Sequence, residues 1–148
     1  MHRVSVLAVL LAIVGFSSSS VAALGGDAAS VEADRVVAKA SSRAIDHDNY
    51  TVYELQISPE ASIKEYLAGG VVFAVSWDGP ALPDLRQLLG SYFDEYRTAA
   101  QAQRTNHRSL IVQTADLVVA STGRMGAFSG RAYLPQRLPA GVATNDIR

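Results

Sequence analysis

The chain has 148 residues, 49% of them hydrophobic, with 13 basic and 14 acidic side chains and no cysteine. That length suits one domain with its own apolar core, and the near balance of charge supplies no basic field for nucleic acid. The lack of cysteine excludes disulfides, thiolate metal sites and a lipoprotein anchor, so stability must come from apolar packing.

The opening residues, MHRVSVLAVLLAIVGFSSSSVAALGG, place His2 and Arg3 before an apolar run from Val4 to Phe16, with small residues at Ser20 and Ala22. This is the layout of a signal peptide over residues 1–23, cleaved after Ala22 or Ala23. The run is shorter than the ~20 residues a membrane-spanning helix needs. The expectation is a periplasmic or secreted protein with no stable membrane anchor after cleavage.

Residues 24–49, LGGDAASVEADRVVAKASSRAIDHDN, form an Ala-, Ser- and Asp-rich leader. Ser30 is placed to cap a short helix over Val31 to Ala40, with acids early and Arg35 and Lys39 late, as the helix dipole favours. Its apolar stripe is thin, which makes the helix marginal.

A single α+β domain is expected over residues 50–148. Tyr50 to Ser58 alternates, with Tyr53, Leu55 and Ile57 on one face and Glu54, Gln56 and Ser58 on the other, as in a half-buried strand. SIKEYLA reads as a second strand, and Gly69-Gly70 as the hairpin turn into a third, Val71 to Trp77. Pro83 and Asp84 then suit the start of a helix. Leu85, Leu88, Leu89, Tyr92, Phe93 and Tyr96 recur at steps of three and four, predicting one long amphipathic helix. After the polar stretch RTNHR come the strands SLIVQ, LVVAS and MGAFSGRAYLP, and a terminal segment lying over the domain. The order of strands, helix, strands predicts an antiparallel sheet of about five to six strands covered by that helix.

In GRMGAFSGRAYLP the period of two divides Met125, Ala127, Ser129, Arg131 and Tyr133 from Gly126, Phe128, Gly130, Ala132 and Leu134. The second set has no polar side chain and is small at alternate steps. It is expected to face the helix, with Gly90 at the crossing. Arg131 and Tyr133 then project from the other face as a partner-binding surface.

Three stretches, ALGGDAASVEADR, EYLAGGVVFAVSWDGPALPDLRQLLGSYF and GRMGAFSGRAYLPQRLPAGVATNDIR, together resemble the bacterial exported family known as domain of unknown function 2844. The resemblance covers nearly all of the chain after residue 23 and implies a small secreted or periplasmic protein of a Gram-negative bacterium. It brings no activity and no catalytic residues.

The candidate chemistries are thin. Ser129 in GAFSG stands one place too late for a nucleophile elbow, which needs a glycine two residues to either side and a helix afterwards. Asp46, His47 and Asp48 have metal-ligand chemistry, but neighbours on an extended chain point in opposite directions. Asp94 and Glu95 do not face one another on a helix and have no reason to share a proton. Asn49-Tyr50-Thr51 matches a glycosylation acceptor only formally. Trp77, the single tryptophan, is placed by its period-two partners Val71, Phe73 and Val75 in the core, with an exposed stacking platform as the alternative. No cofactor is expected.

These readings favour a non-catalytic exported accessory or binding protein of the bacterial envelope. Its partner is an unknown envelope or extracellular protein or ligand, met through Arg131, Tyr133 and Trp77. The alternatives are an envelope hydrolase using His107 with an Asp, and a protease inhibitor of the cystatin kind suggested by fold analogy alone.

Overall fold

The computed structural model describes residues 24–103 and 109–148. The expected signal peptide and His107 lie outside the described residues.

Asp27, one turn earlier than Ser30, caps the first helix, α1 (Ala28–Ala38), its side chain accepting from the Ser30 amide at 2.9 Å. The Ser30 hydroxyl returns a bond to the Asp27 carbonyl oxygen. At the other end Lys39 turns into the left-handed region, and its amide closes the last turn on Arg35 and Val36. A strand that sequence reasoning does not anticipate follows at once: β1 (Ser41–Asp46) pairs antiparallel with β2 (Thr51–Ser58). All six β1 residues are exposed, so no alternation of apolar and polar residues announces it.

The meander continues through β3 (Ala61–Ala68), the Gly69-Gly70 turn and β4 (Val71–Gly79). Asp84 then accepts from the amides of Arg86 and Gln87 and starts α2 (Leu85–Leu89). Gly90, at φ 52° and ψ −123°, ends it. A 3₁₀ turn, Gly90–Tyr92, leads into α3 (Phe93–Ala102), so the expected continuous helix is broken in two. The Arg86 guanidinium bridges the break, 4.4 Å above the Phe93 ring. The chain finishes with β5 (Ser109–Gln113), β6 (Val118–Arg124), β7 (Ala127–Tyr133) and two 3₁₀ turns, Pro135–Arg137 and Thr144–Asp146.

The fold is α+β, and its strands form one antiparallel sheet in the order β1-β2-β3-β4-β7-β6-β5. It has seven strands among the described residues where five to six were expected. Two meanders, β1 to β4 and β5 to β7, meet along a single seam, the antiparallel pairing of β4 with β7.

Each face of the sheet carries a core. On one, α1, α2 and α3 cover Val72, Val75, Trp77, Val112, Val119 and Ala132; Leu85, Leu88 and Leu89 are the buried leucines of α2. Burying each such side chain is worth about 1.5–3 kcal/mol. On the other face the C-terminal segment lies over Val52, Tyr66, Phe73 and Ala74 and drives Ile147 into the middle of them. A β-bulge sets which β4 side chain goes where. Tyr66 pairs with Ala74 and Leu67 with Val72, leaving Phe73 as the extra residue. Phe73 therefore points away from Val75 and Trp77, against its place in the period-two set expected from sequence.

The two faces of β7 are as the alternation predicts, with Ala132 and Leu134 in the helix-side core and Tyr133 against the opposite cluster. What the small residues accommodate is different. Gly130 sits opposite Trp77, and a Cβ there would strike the indole and come within 2.7 Å of the Ala120 carbonyl oxygen. Gly123 makes the same room for the ring of Phe128, its partner across β6 and β7. Aromatic rings from neighbouring strands, broader than the α2 leucines, lie over the glycines where a helix crossing was expected. Gly130→Ala should cost about 1 to 3 kcal/mol in denaturant unfolding. It should also shift the emission of Trp77, which is the only tryptophan.

Candidate functional site

Trp77 is buried in the helix-side core and its Nε1 has no acceptor among the described residues. Arg131 and Tyr133 lie on the other face, so the structure separates the three residues into two places. Arg131 is engaged with its own chain: Nη1 donates to the carbonyl oxygens of Thr144 at 2.8 Å and Ile147 at 3.4 Å. Tyr133 packs into the cluster beneath the same segment. The end of the chain is tied down further where the Tyr66 hydroxyl donates to the Arg148 carbonyl oxygen and accepts from its amide, at 3.0 and 2.9 Å. Lys64 Nζ adds a bond to that carbonyl oxygen, and Asn49 holds the carbonyl of Ala140.

The other motifs are used locally. The His47 ring stacks on Tyr50 at 4.4 Å, and Asp46 accepts from the Thr51 hydroxyl. No group of three or more His, Cys, Asp or Glu side chains able to hold a metal occurs among the described residues. Asp94 pairs with Arg97, and Glu95 accepts from the Thr114 hydroxyl. Ser129 shares a hydrogen bond with the Thr122 hydroxyl at 3.2 Å.

A cleft that no sequence motif announces lies at one end of the sheet. The antiparallel pairings bring the last residues of β4 and β6, the first of β7 and the turn between β2 and β3 to this end. They enclose an open cavity of about 730 Å³ whose polar groups include Glu60, Asp78, Arg124, Thr122 and Ser129, with Phe128 in the wall. A second, largely apolar cavity of about 200 Å³ adjoins it, lined by Ile57, Ile63, Trp77 and Leu82 among others. Asp78 and Pro80 belong to both walls. Glu60, Asp78 and Arg124 form no ion pair among the described residues, unlike Glu32 with Arg35, Glu54 with Arg43 and Asp94 with Arg97. The cleft can therefore offer charge of both signs, hydroxyls and an apolar recess to a ligand.

A family model described as "Protein of unknown function (DUF2844)" matches residues 20–147, which include every residue of the cleft. The chain belongs to that family. No curated protein and no solved structure matches it.

One further polar cluster, hidden from the surface, is also missed by motif reasoning. Glu65 is wholly buried on the helix side of β3, opposite Val75 of β4 and Tyr53 of β2. Asp34 of α1, itself buried, lies beside it and accepts from Gln87 Nε2 of α2 at 3.2 Å. An ionised Glu65 would meet no donor among the described residues. A protonated one supplies the hydrogen shared with Asp34. Burial first, then the charge of Asp34 and this hydrogen bond, push the Glu65 pKa up to about 9. The trace in the sequence is SIKEYLA itself, where Glu65 interrupts an apolar face between Ile63 and Leu67.

Because the folded-state pKa of Glu65 lies above the ordinary 4.5, its contribution to stability is complete below about pH 4.5 and is lost as pH rises toward 9. Glu65→Gln keeps the shape and the donor but removes the titration. Denaturant unfolding from pH 5 to pH 9 should show wild type losing more stability than the variant over this window, with the variant the more stable at the alkaline end.

Proposed function

We propose that this is an exported, non-catalytic binding protein of the bacterial envelope, and that its ligand is held in the cleft at the end of β4. Export rests on the signal-peptide layout of residues 1–23 and on the exported character of the family the sequence resembles. Among the described residues, no helix is long and apolar enough to cross a membrane. Binding rests on one observation above the others: three charged side chains, Glu60, Asp78 and Arg124, line a single cavity without an ion pair among the described residues. Charges left in this state are free to pair with a ligand, and they sit beside an apolar recess that can bury part of it.

This reading moves the binding surface away from Arg131 and Tyr133. Both are occupied with the C-terminal segment, whereas Trp77 keeps a part in it as a wall of the recess. Strands and turns hold the cleft residues, which gives a ligand a largely preformed site.

A photoreactive side chain placed at Thr122 in the cleft, and as a control at Val36 on the exposed face of α1, tests this in intact cells. The protein should be recovered from the periplasm or medium with its first residue at Ala23 or Leu24. The Thr122 form should carry an adduct that Asp78→Asn reduces, and the Val36 form should not. Equal labelling at both positions, or a product retained in the membrane with Met1 intact, would contradict the proposal.

A further inference from the structure

The sheet has two outer strands among the described residues, β1 and β5, and their free edges are built differently. β1 carries Arg43 and Asp46 among its six residues, the kind of charge that keeps an edge strand from pairing with another chain. β5 carries no charge, no proline and no bulge, and pairs with β6 alone among the described residues. At its centre stands Ile111, 61% exposed and the most exposed large apolar side chain of any described strand.

The direction of each backbone group on β5 follows from the turn beside it. The Thr114 amide donates to the Leu117 carbonyl oxygen at 2.8 Å, which makes these two a hydrogen-bonded pair. Such pairs alternate along an antiparallel ladder. In the register of β5 on β6, Val112 with Val119 and Leu110 with Ser121 are therefore the next ones. The amides and carbonyls of Ser109, Ile111 and Gln113 point to the free edge instead. Their side chains share the exposed face, while Leu110 and Val112 turn into the helix-side core.

We propose that this edge pairs with the β5 edge of a second copy, antiparallel about a two-fold axis at Ile111, so that two seven-stranded sheets join into one. An axis perpendicular to the sheet keeps each face on its own side. Centred on Ile111, it sets that residue against itself, Ser109 against Gln113 and Leu110 against Val112. The outward donors and acceptors of Ser109, Ile111 and Gln113 all find backbone partners in this register. The isoleucines form a β-branched pair, the helix-side cores run on through Leu110 and Val112, and no charge on β5 is opposed. β1 offers no equal match. Its His47–Tyr50 pair turns Ser42, Ala44 and Asp46 outward, and pairing about Ala44 would set the Arg43 charge against Ile45. Five residues a side make a small interface, so the dimer is reversible, with a Kd of about 10–100 µM. It is independent of the ligand cleft, which no β5 residue lines.

Sedimentation velocity of the purified protein from about 1 to 500 µM tests this. The weight-average mass should rise from one chain toward two and no further. Ile111→Lys and Ile111→Glu, at an exposed position, should each stay monomeric across that range while keeping the wild-type unfolding midpoint. Mixed in equal parts they should associate again, because the axis sets residue 111 against itself and the mixture holds opposite charges there. Ile111→Pro, which removes only an outward amide and leaves the bonds to β6, closes the edge without charge and should also be monomeric. Ala44→Lys on β1 should leave the wild-type association in place. A wild-type protein still monomeric at about 500 µM, Ile111 variants that associate like wild type, or a Lys and Glu mixture that stays monomeric would overturn the proposal. So would a mass that climbs past two chains and falls with Ala44→Lys, the result of β5 pairing with β1 of the next copy in an open series.

Discussion

The sheet depends on the contact between Trp77 and Gly130. The two meanders meet only where β4 pairs with β7, and at that seam the largest side chain of the protein lies against the one β7 residue that has none. A tryptophan buries some 150–250 Å² when it packs, a large contribution for a domain of this size. That burial is possible because the indole can lie across the neighbouring strand, with Val75 and Ala132 filling the next position along the seam on the same face. Phe128 over Gly123 repeats the device one strand further on.

The same arrangement leaves room for a site. Beyond Trp77 the strands end in small or turn-forming residues, Gly79, Pro80, Gly123 and Gly126, and among the described residues no helix lines the cavity there. The cleft opens there, with Trp77, Ile63 and Leu82 in the wall of its recess and Asp78 shared between the recess and the larger cavity. The opposite face of the sheet is closed by the C-terminal segment, held through Arg131, Tyr66 and Lys64 and by burial of Ile147. Charged and hydroxyl groups on that face, those of Arg131, Tyr66 and Lys64, thus serve the fold.

Much of the architecture was legible because period-two alternation and glycine turns report on half-buried strands. Tyr53 and Leu55, the Gly69-Gly70 hairpin and the division of β7 into two faces all follow from it. The misses have equally local causes. β1 is exposed along its whole length, so its pairing rests on backbone bonds that leave no trace in side-chain pattern. Leu85 to Tyr96 keeps its leucine period through Gly90, and only the backbone angles there show that the helix stops. Phe73 changed faces because a bulge adds one residue to β4, which alternation cannot reveal. The cleft was illegible for a different reason. Glu60, Asp78 and Arg124 come from three separate segments, and that they meet in one cavity without an ion pair among the described residues is a property of the folded arrangement alone. Arg131 was correctly placed on its face, but the segment that engages it lies 13 to 16 residues further on.

Native-state hydrogen exchange measures most directly whether the β4–β7 seam makes one cooperative unit of the two meanders. Amides of β4 and β7 should show the highest protection in the molecule and share one opening free energy, equal to that of global unfolding, with the exposed edge strand β1 opening earlier. Exchange of β5 to β7 as a separate, less stable unit, while β2 to β4 stay protected, would contradict it.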